Sequence, residues 1–167
     1  GLLHLPGEIY GEAVAAEGEC VTIDGVFYWK ERLECMPRAE LEQYQLQKLR
    51  EQLAHVHERS PFYRRKLEAA GIRPGDIRSM DDVRRIPLTD KEELRLSQAN
   101  NPPWGDFSCI TPKDAVRVFQ TSGTTGRPVR IMISRKDWHD TFYEQFMHYR
   151  CGFGLTEEDV LFVPFNY

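Results

Sequence analysis

A chain of 167 residues can bury the core of one domain and little more. Its charged fraction of 29% and apolar fraction of 41% fit a globular protein rather than a disordered one. The net charge of −4 argues against a nucleic-acid partner, and no apolar run is long enough for a membrane span or a signal-peptide core.

Cys20, Cys35, Cys109 and Cys151 lie far apart without a Cys-x-x-Cys pair, so zinc-type spacing is absent. Reduced thiols and a cytoplasmic location are the expectation. His4, His55, His57, His139 and His148 lack partners at ligand spacing, and no metal site is expected from them.

Residues 1–26 carry glycines and acids without periodicity, which predicts loops or short strands. Phe27-Tyr28-Trp29 is an apolar anchor after them. Pro37 marks a helix start, and Leu41, Tyr44, Leu46, Leu49, Leu53 and Val56 give an apolar helical face ending near Arg59. Ser60-Pro61 reads as a cap and first-turn pair, with Gly71 as the stop. Pro74-Gly75 is a turn, and Ser79 to Asp82 caps a short helix stopped by Pro87. Thr89-Asp90-Lys91-Glu92 reads as a capping box for a helix over about 90–98. Arg64-Arg65-Lys66 and Arg84-Arg85 read as a solvated face, because acids lie close by.

Asn100 to Gly105, with Pro102-Pro103, is a connector. Val116 to Phe119 and Val129 to Ile133 are β-branched, alternating strands. Trp138, Phe142, Phe146 and Tyr149 recur at helical spacing between Arg135 and Gly152 and read as core packing. Val160 to Pro164 reads as a buried strand. Three segments follow: an N-terminal arm over 1–36, a helical segment over 37–99 and an α/β segment over 100–167. The fold class is α/β, with a helical N-terminal half leading into part of a mixed sheet with a covering helix.

Between the two strands lies Gln120-Thr121-Ser122-Gly123-Thr124-Thr125-Gly126-Arg127-Pro128. Glycines let backbone N–H groups approach a ligand closely, and successive N–H groups can cradle an anion. Hydroxyls add rotatable donors, and the guanidinium of Arg127 adds a planar fork suited to phosphate. A polar hairpin turn without a ligand has a similar composition. A Walker-type loop is excluded, since no Gly-Lys-Ser/Thr leads into a helix here.

Thr-Ser-Gly-Thr-Thr-Gly-Arg-Pro resembles the phosphate loop of the adenylate-forming enzymes, with Arg127 where the family usually has Lys. Ser60 to Leu67, Ala70-Gly71-Ile72 and Ile86 to Lys91 are similar to the N-terminal part of phenylacetate-CoA ligases, and the resemblance runs from about Trp29 to Tyr167. It implies ATP phosphate binding by Thr121, Ser122, Gly123, Thr124, Thr125, Gly126 and Arg127. It also implies an acid pocket lined by Phe165 and Tyr167. ATP, Mg²⁺ and coenzyme A are the implied cofactor and co-substrates, and a carboxylic acid, expected to be aromatic, is the substrate. A homodimer is a further expectation, as is a place in aromatic catabolism.

The resemblance implies two-step chemistry. A carboxylate attacks the α-phosphate of ATP to give an acyl-adenylate and pyrophosphate, and CoA then displaces AMP. No catalytic residue is expected within these residues, and Ser122 has no base placed to make it a nucleophile. The chain therefore reads as the N-terminal part of a larger AMP-forming ligase, inactive alone. The alternative is a non-catalytic nucleotide-binding or interaction module that retains the fold.

Overall fold

The computed structural model describes residues 20–123, 126–156, 158–160 and 162. In chain order its first elements are strands β1 (Val21–Ile23) and β2 (Val26–Tyr28) and helices α1 (Glu31–Glu34), α2 (Arg38–Arg59) and α3 (Pro61–Ala69). After 3-10 turns at Pro74–Asp76 and Met80–Arg85 come α4 (Lys91–Asn100), β3 (Ala115–Gln120) and β4 (Arg130–Ser134). The chain then forms α5 (Arg135–Asp137), a π-helical stretch (Trp138–Tyr143) and α6 (Glu144–Gly152). The chain divides into two units, Gly1–Cys35 with Glu144–Tyr167 and Met36–Tyr143.

The larger unit is built on α2. Its predicted face is largely realised: Leu53 is buried with Leu67, Ile72 and Ile77, and Leu46, Leu49, Val56 and Ile86 pack around them. Tyr44 departs from that face and stays exposed. Ser60 begins α3 as predicted, its hydroxyl accepting from the Tyr63 N–H at 3.2 Å, with Pro61 in the first turn. Gly71, at φ +66°, ends that stretch in the left-handed region where a side chain is disfavoured.

The capping box of α4 is displaced by one residue from the predicted frame. Asp90, not Thr89, is the cap, and its carboxylate accepts from the Glu93 N–H at 2.8 Å. Glu93 in turn accepts from the Asp90 N–H at 2.9 Å. Thr89-x-x-Glu92 and Asp90-x-x-Glu93 overlap in sequence, and the second frame also brings Glu93 to an ion pair with Lys66. The basic residues after Ser60 are likewise engaged locally: Arg65 pairs with Asp106, Arg85 with Asp82, and Arg64 donates to the His57 and Glu58 carbonyls.

β3 and β4 pair antiparallel, with Val118 opposite Met132 and Gln120 opposite Arg130. Among the described residues this ladder is the sheet that follows the helical half. Arg117 lies 4.5 Å from the Trp138 ring centre, and Phe142 stacks at 5.2 Å on both Phe119 and Trp138.

The smaller unit starts with the β1–β2 hairpin. Asp24 and Gly25 turn it at φ 50° and 78°, the paired positive angles of a tight two-residue turn. Trp29 is buried, and its indole N–H donates to the Glu144 carboxylate at 2.9 Å. A disulfide joins Cys20 to Cys151, so the expectation of reduced thiols fails for this pair. Their separation of 131 residues leaves no local spacing to read.

The aromatic stripe expected to be core is also corrected. Phe146 and Tyr149 are half exposed, and α6 instead buries Met147 and Cys151. Those residues stand one turn apart on the face held by the disulfide, which explains why that face is inward. Of the strand expected over 160–164, Leu161, Val163 and Pro164 lie outside the described residues. Val160 and Phe162 are exposed and not in a strand, for no described element covers them.

Candidate functional site

The candidate site is the turn between β3 and β4. Its neck is closed by the Thr121 N–H donating to the Val129 carbonyl at 3.0 Å. The Val129 N–H returns a bond to the Thr121 hydroxyl at 3.0 Å. Thr121 thus builds the loop with its oxygen lone pair, while its O–H proton can still rotate toward a ligand. Val129 is 1% exposed and anchors the exit strand in the core.

Beyond the neck, the Gly126 N–H donates to the Gly123 carbonyl at 3.1 Å and closes a tight turn. Gly123 sits at φ +69° and Gly126 at φ +145°, both angles at which other residues are strained. A β-carbon on Gly123 would stand 3.1 Å from the Gly126 carbonyl oxygen and 3.3 Å from the Pro128 ring. Ser122 and Arg127 are exposed at the tip. The structure therefore brings Thr121, Ser122, Gly123, Gly126 and Arg127 together on one loop. Thr124 and Thr125 lie outside the described residues, as do Phe165 and Tyr167.

Sequence reasoning did not anticipate that α4 borders this loop. The Arg95 Nε–H donates to the Arg127 carbonyl at 3.0 Å, and Gln98 bonds both backbone groups of Arg130. The only sequence hint is their spacing of three, which puts both on one helix face.

α4 is itself anchored through Asp106. The Ser97 hydroxyl donates to the Asp106 carboxylate at 2.7 Å and accepts from the Asp106 N–H at 3.0 Å. The buried Ser60 hydroxyl and the Phe62 N–H both donate to the Asp106 carbonyl, at 3.1 and 3.2 Å. Burial pushes the Asp106 carboxyl up, but hydrogen bonds from Ser97 and Arg65 outweigh it and hold its pKa below the usual range. One residue so joins the start of α3 to the helix that borders the loop.

No family model matches the chain. Phenylacetate-coenzyme A ligase of Thermus thermophilus is 38% identical over 109 residues, which is 65% of this chain and 23% of that protein. The Escherichia coli protein of that name is 39% identical over 98 residues, 59% of this chain and 21% of its own length. The chain is phenylacetate-CoA ligase-like.

Solved structures agree with that likeness. 2-Hydroxyisobutyryl-CoA ligase in complex with 2-HIB-AMP and CoA superposes with a TM-score of 0.63 and 43% identity, covering 67% of this chain and 24% of that one. The same ligase with R3-HIB-AMP gives a TM-score of 0.63 at 34% identity over 81% of this chain and 26% of that one. This mixed helical and small-sheet architecture thus matches a portion of the adenylate-forming ligase fold. The phenylacetate-CoA ligase-like chain spans about a quarter or less of the relatives it matches.

Proposed function

We propose that this chain supplies the phosphate loop of an ATP-dependent, AMP-forming acyl-CoA ligase, with an aromatic carboxylic acid as substrate. The observation that carries this reading is the loop between β3 and β4. It combines two glycines at positive φ, exposed Ser122 and Arg127, and a neck in which the Thr121 hydroxyl accepts rather than donates. Its setting supports the reading, because the 2-hydroxyisobutyryl-CoA ligase it resembles is solved with 2-HIB-AMP and CoA.

The loop's chemical task is electrostatic. As the carboxylate attacks the α-phosphate, charge gathers on the departing pyrophosphate. Backbone N–H groups, the Ser122 and Thr121 hydroxyls and the Arg127 guanidinium are the groups able to offset it. Pre-set donors of this kind contribute because they need no rearrangement while the bond breaks. Hydroxyl oxygens are also hard donors that suit Mg²⁺. When bound, that ion supplies further neutralisation of the triphosphate. Phe165 and Tyr167, expected to line the acid pocket, lie outside the described residues.

The test is pyrophosphate exchange in the full-length protein that carries this chain. Label from pyrophosphate should enter ATP only when a carboxylic acid is present, with phenylacetate outpacing a short aliphatic acid. Exchange independent of added acid, or release of ADP in place of AMP, would contradict the reading.

A further inference from the structure

The strand that leaves the phosphate loop is fastened to a helix as well as to its own hairpin. Gln98 makes a reciprocal pair with the backbone of Arg130: its side-chain N–H donates to the Arg130 carbonyl at 2.7 Å, and its carbonyl accepts from the Arg130 N–H at 3.2 Å. One turn earlier on α4, the Arg95 Nε–H donates to the Arg127 carbonyl at 3.0 Å. The Arg95 Nη1 also donates to the Glu92 carboxylate at 2.8 Å, and the side chain is only 15% exposed. A β-carbon built on Gly126 would lie 3.4 Å from the guanidinium carbon of Arg95, so Gly126 faces that group with room for little more than the missing side chain.

Between these two contacts sits Ser97, whose bonds to Asp106 root the helix in the core. α4 is therefore a rigid rail, and the segment Gly126–Arg130 is tied to it at two points. A glycine-rich loop otherwise carries a large conformational freedom that ligand binding must remove. Fixing the Arg127 carbonyl sets the Arg127–Pro128 peptide plane, and with it the stretch of backbone from which the Arg127 side chain projects.

We propose that Arg95 and Gln98 are positioning residues that hold the phosphate loop ready for ATP, a role that rests on the phosphate-binding reading of the loop. Neither needs to touch the nucleotide. Their contribution is to keep the donors of the loop aligned before the triphosphate arrives, which shows in ATP affinity and not in use of the acid.

The test uses the full-length protein with Arg95→Met, Gln98→Met and the double variant, each retaining an unbranched stem of similar length. In pyrophosphate exchange each single variant should raise the KM for ATP about three- to tenfold, the loss of one to two backbone-directed hydrogen bonds, and leave the KM for the acid unchanged. Because both act on one segment, the double variant should raise it by less than the product of the two. An ATP KM within about twofold of wild type in both folded variants overturns the proposal. So does a parallel rise in both KM values with a fall in melting temperature, which marks a merely structural role. If Arg95→Met fails to fold, Gln98→Met alone decides. Gly123→Ala serves as the reference: if it raises the ATP KM while the α4 variants do not, only the positioning role fails. If it too leaves ATP untouched, the phosphate-loop reading fails and this role falls with it.

Discussion

Gly123→Ala is expected to lower the rate of adenylation about ten- to hundredfold while leaving the melting temperature nearly unchanged. Two costs combine at this position. At φ +69° a residue with a β-carbon is strained by about 1 kcal/mol. The new carbon would also stand 3.1 Å from the Gly126 carbonyl oxygen, a backbone atom that can yield only if the turn opens. Opening the turn moves the N–H groups proposed to face the phosphates, and displacement of donors by fractions of an ångström is what electrostatic catalysis tolerates least. Gly126→Ala meets a softer neighbour, since its nearest atom is the guanidinium carbon of Arg95 at 3.4 Å. Its cost is the backbone angle alone. Initial-rate pyrophosphate exchange on both variants checks the order. Equal and unimpaired rates would mean that the turn geometry plays no part in the chemistry.

The second large effect concerns stability. Asp106→Ala should destabilise the protein by about 2–4 kcal/mol, because it leaves the buried Ser97 hydroxyl without its acceptor and loosens α4. Asp106→Asn should cost less than about 1 kcal/mol beyond that bond's weakening, since what it removes is chiefly an ion pair with Arg65. Arg65 is 63% exposed, so solvent screens that pair. The carboxyl's lowered pKa gives the wild type a matching pH signature. A group whose pKa is lower folded than unfolded stabilises the fold above its unfolded value, near 4 for Asp, and loses that contribution as pH falls through the folded value. Denaturant midpoints should therefore fall below about pH 4 in wild type and show a shallower fall in Asp106→Ala. A wild-type curve with the slope of the variant would remove Asp106 from the account.

Much of the larger unit was legible because its signals are local. The periodic apolar face of α2, the Ser60-Pro61 start of α3 and the two alternating strands each declare themselves within a few residues. The capping box of α4 was found but misframed, since Thr89 and Asp90 are both capping residues followed at the right distance by Glu. The β1–β2 hairpin was within reach of the same rules: Asp24-Gly25 between short β-branched runs is a strong turn signal, obscured by the unpatterned residues before it. Other features were not legible at all. Nothing in the spacing of Cys20 and Cys151 foretells a bond across 131 residues, and nothing near Gln98 foretells its pairing with Arg130, 32 residues on. Trp138, Phe142, Phe146 and Tyr149 misled for a related reason. Periodicity identifies a helix, but the neighbours that arrive by tertiary folding decide which face is covered. In the site itself, residue order revealed the loop, whereas its support by α4 is purely tertiary.

The most direct measurement of the central claim compares ATP, pyrophosphate and AMP binding by calorimetry, in the full-length protein and in its Thr124→Ala/Gly126→Ala variant. A loop that holds the β- and γ-phosphates should, when disabled, weaken ATP and pyrophosphate about tenfold or more and leave AMP unchanged. ATP and AMP weakened alike, or ATP bound as tightly as before, would contradict it.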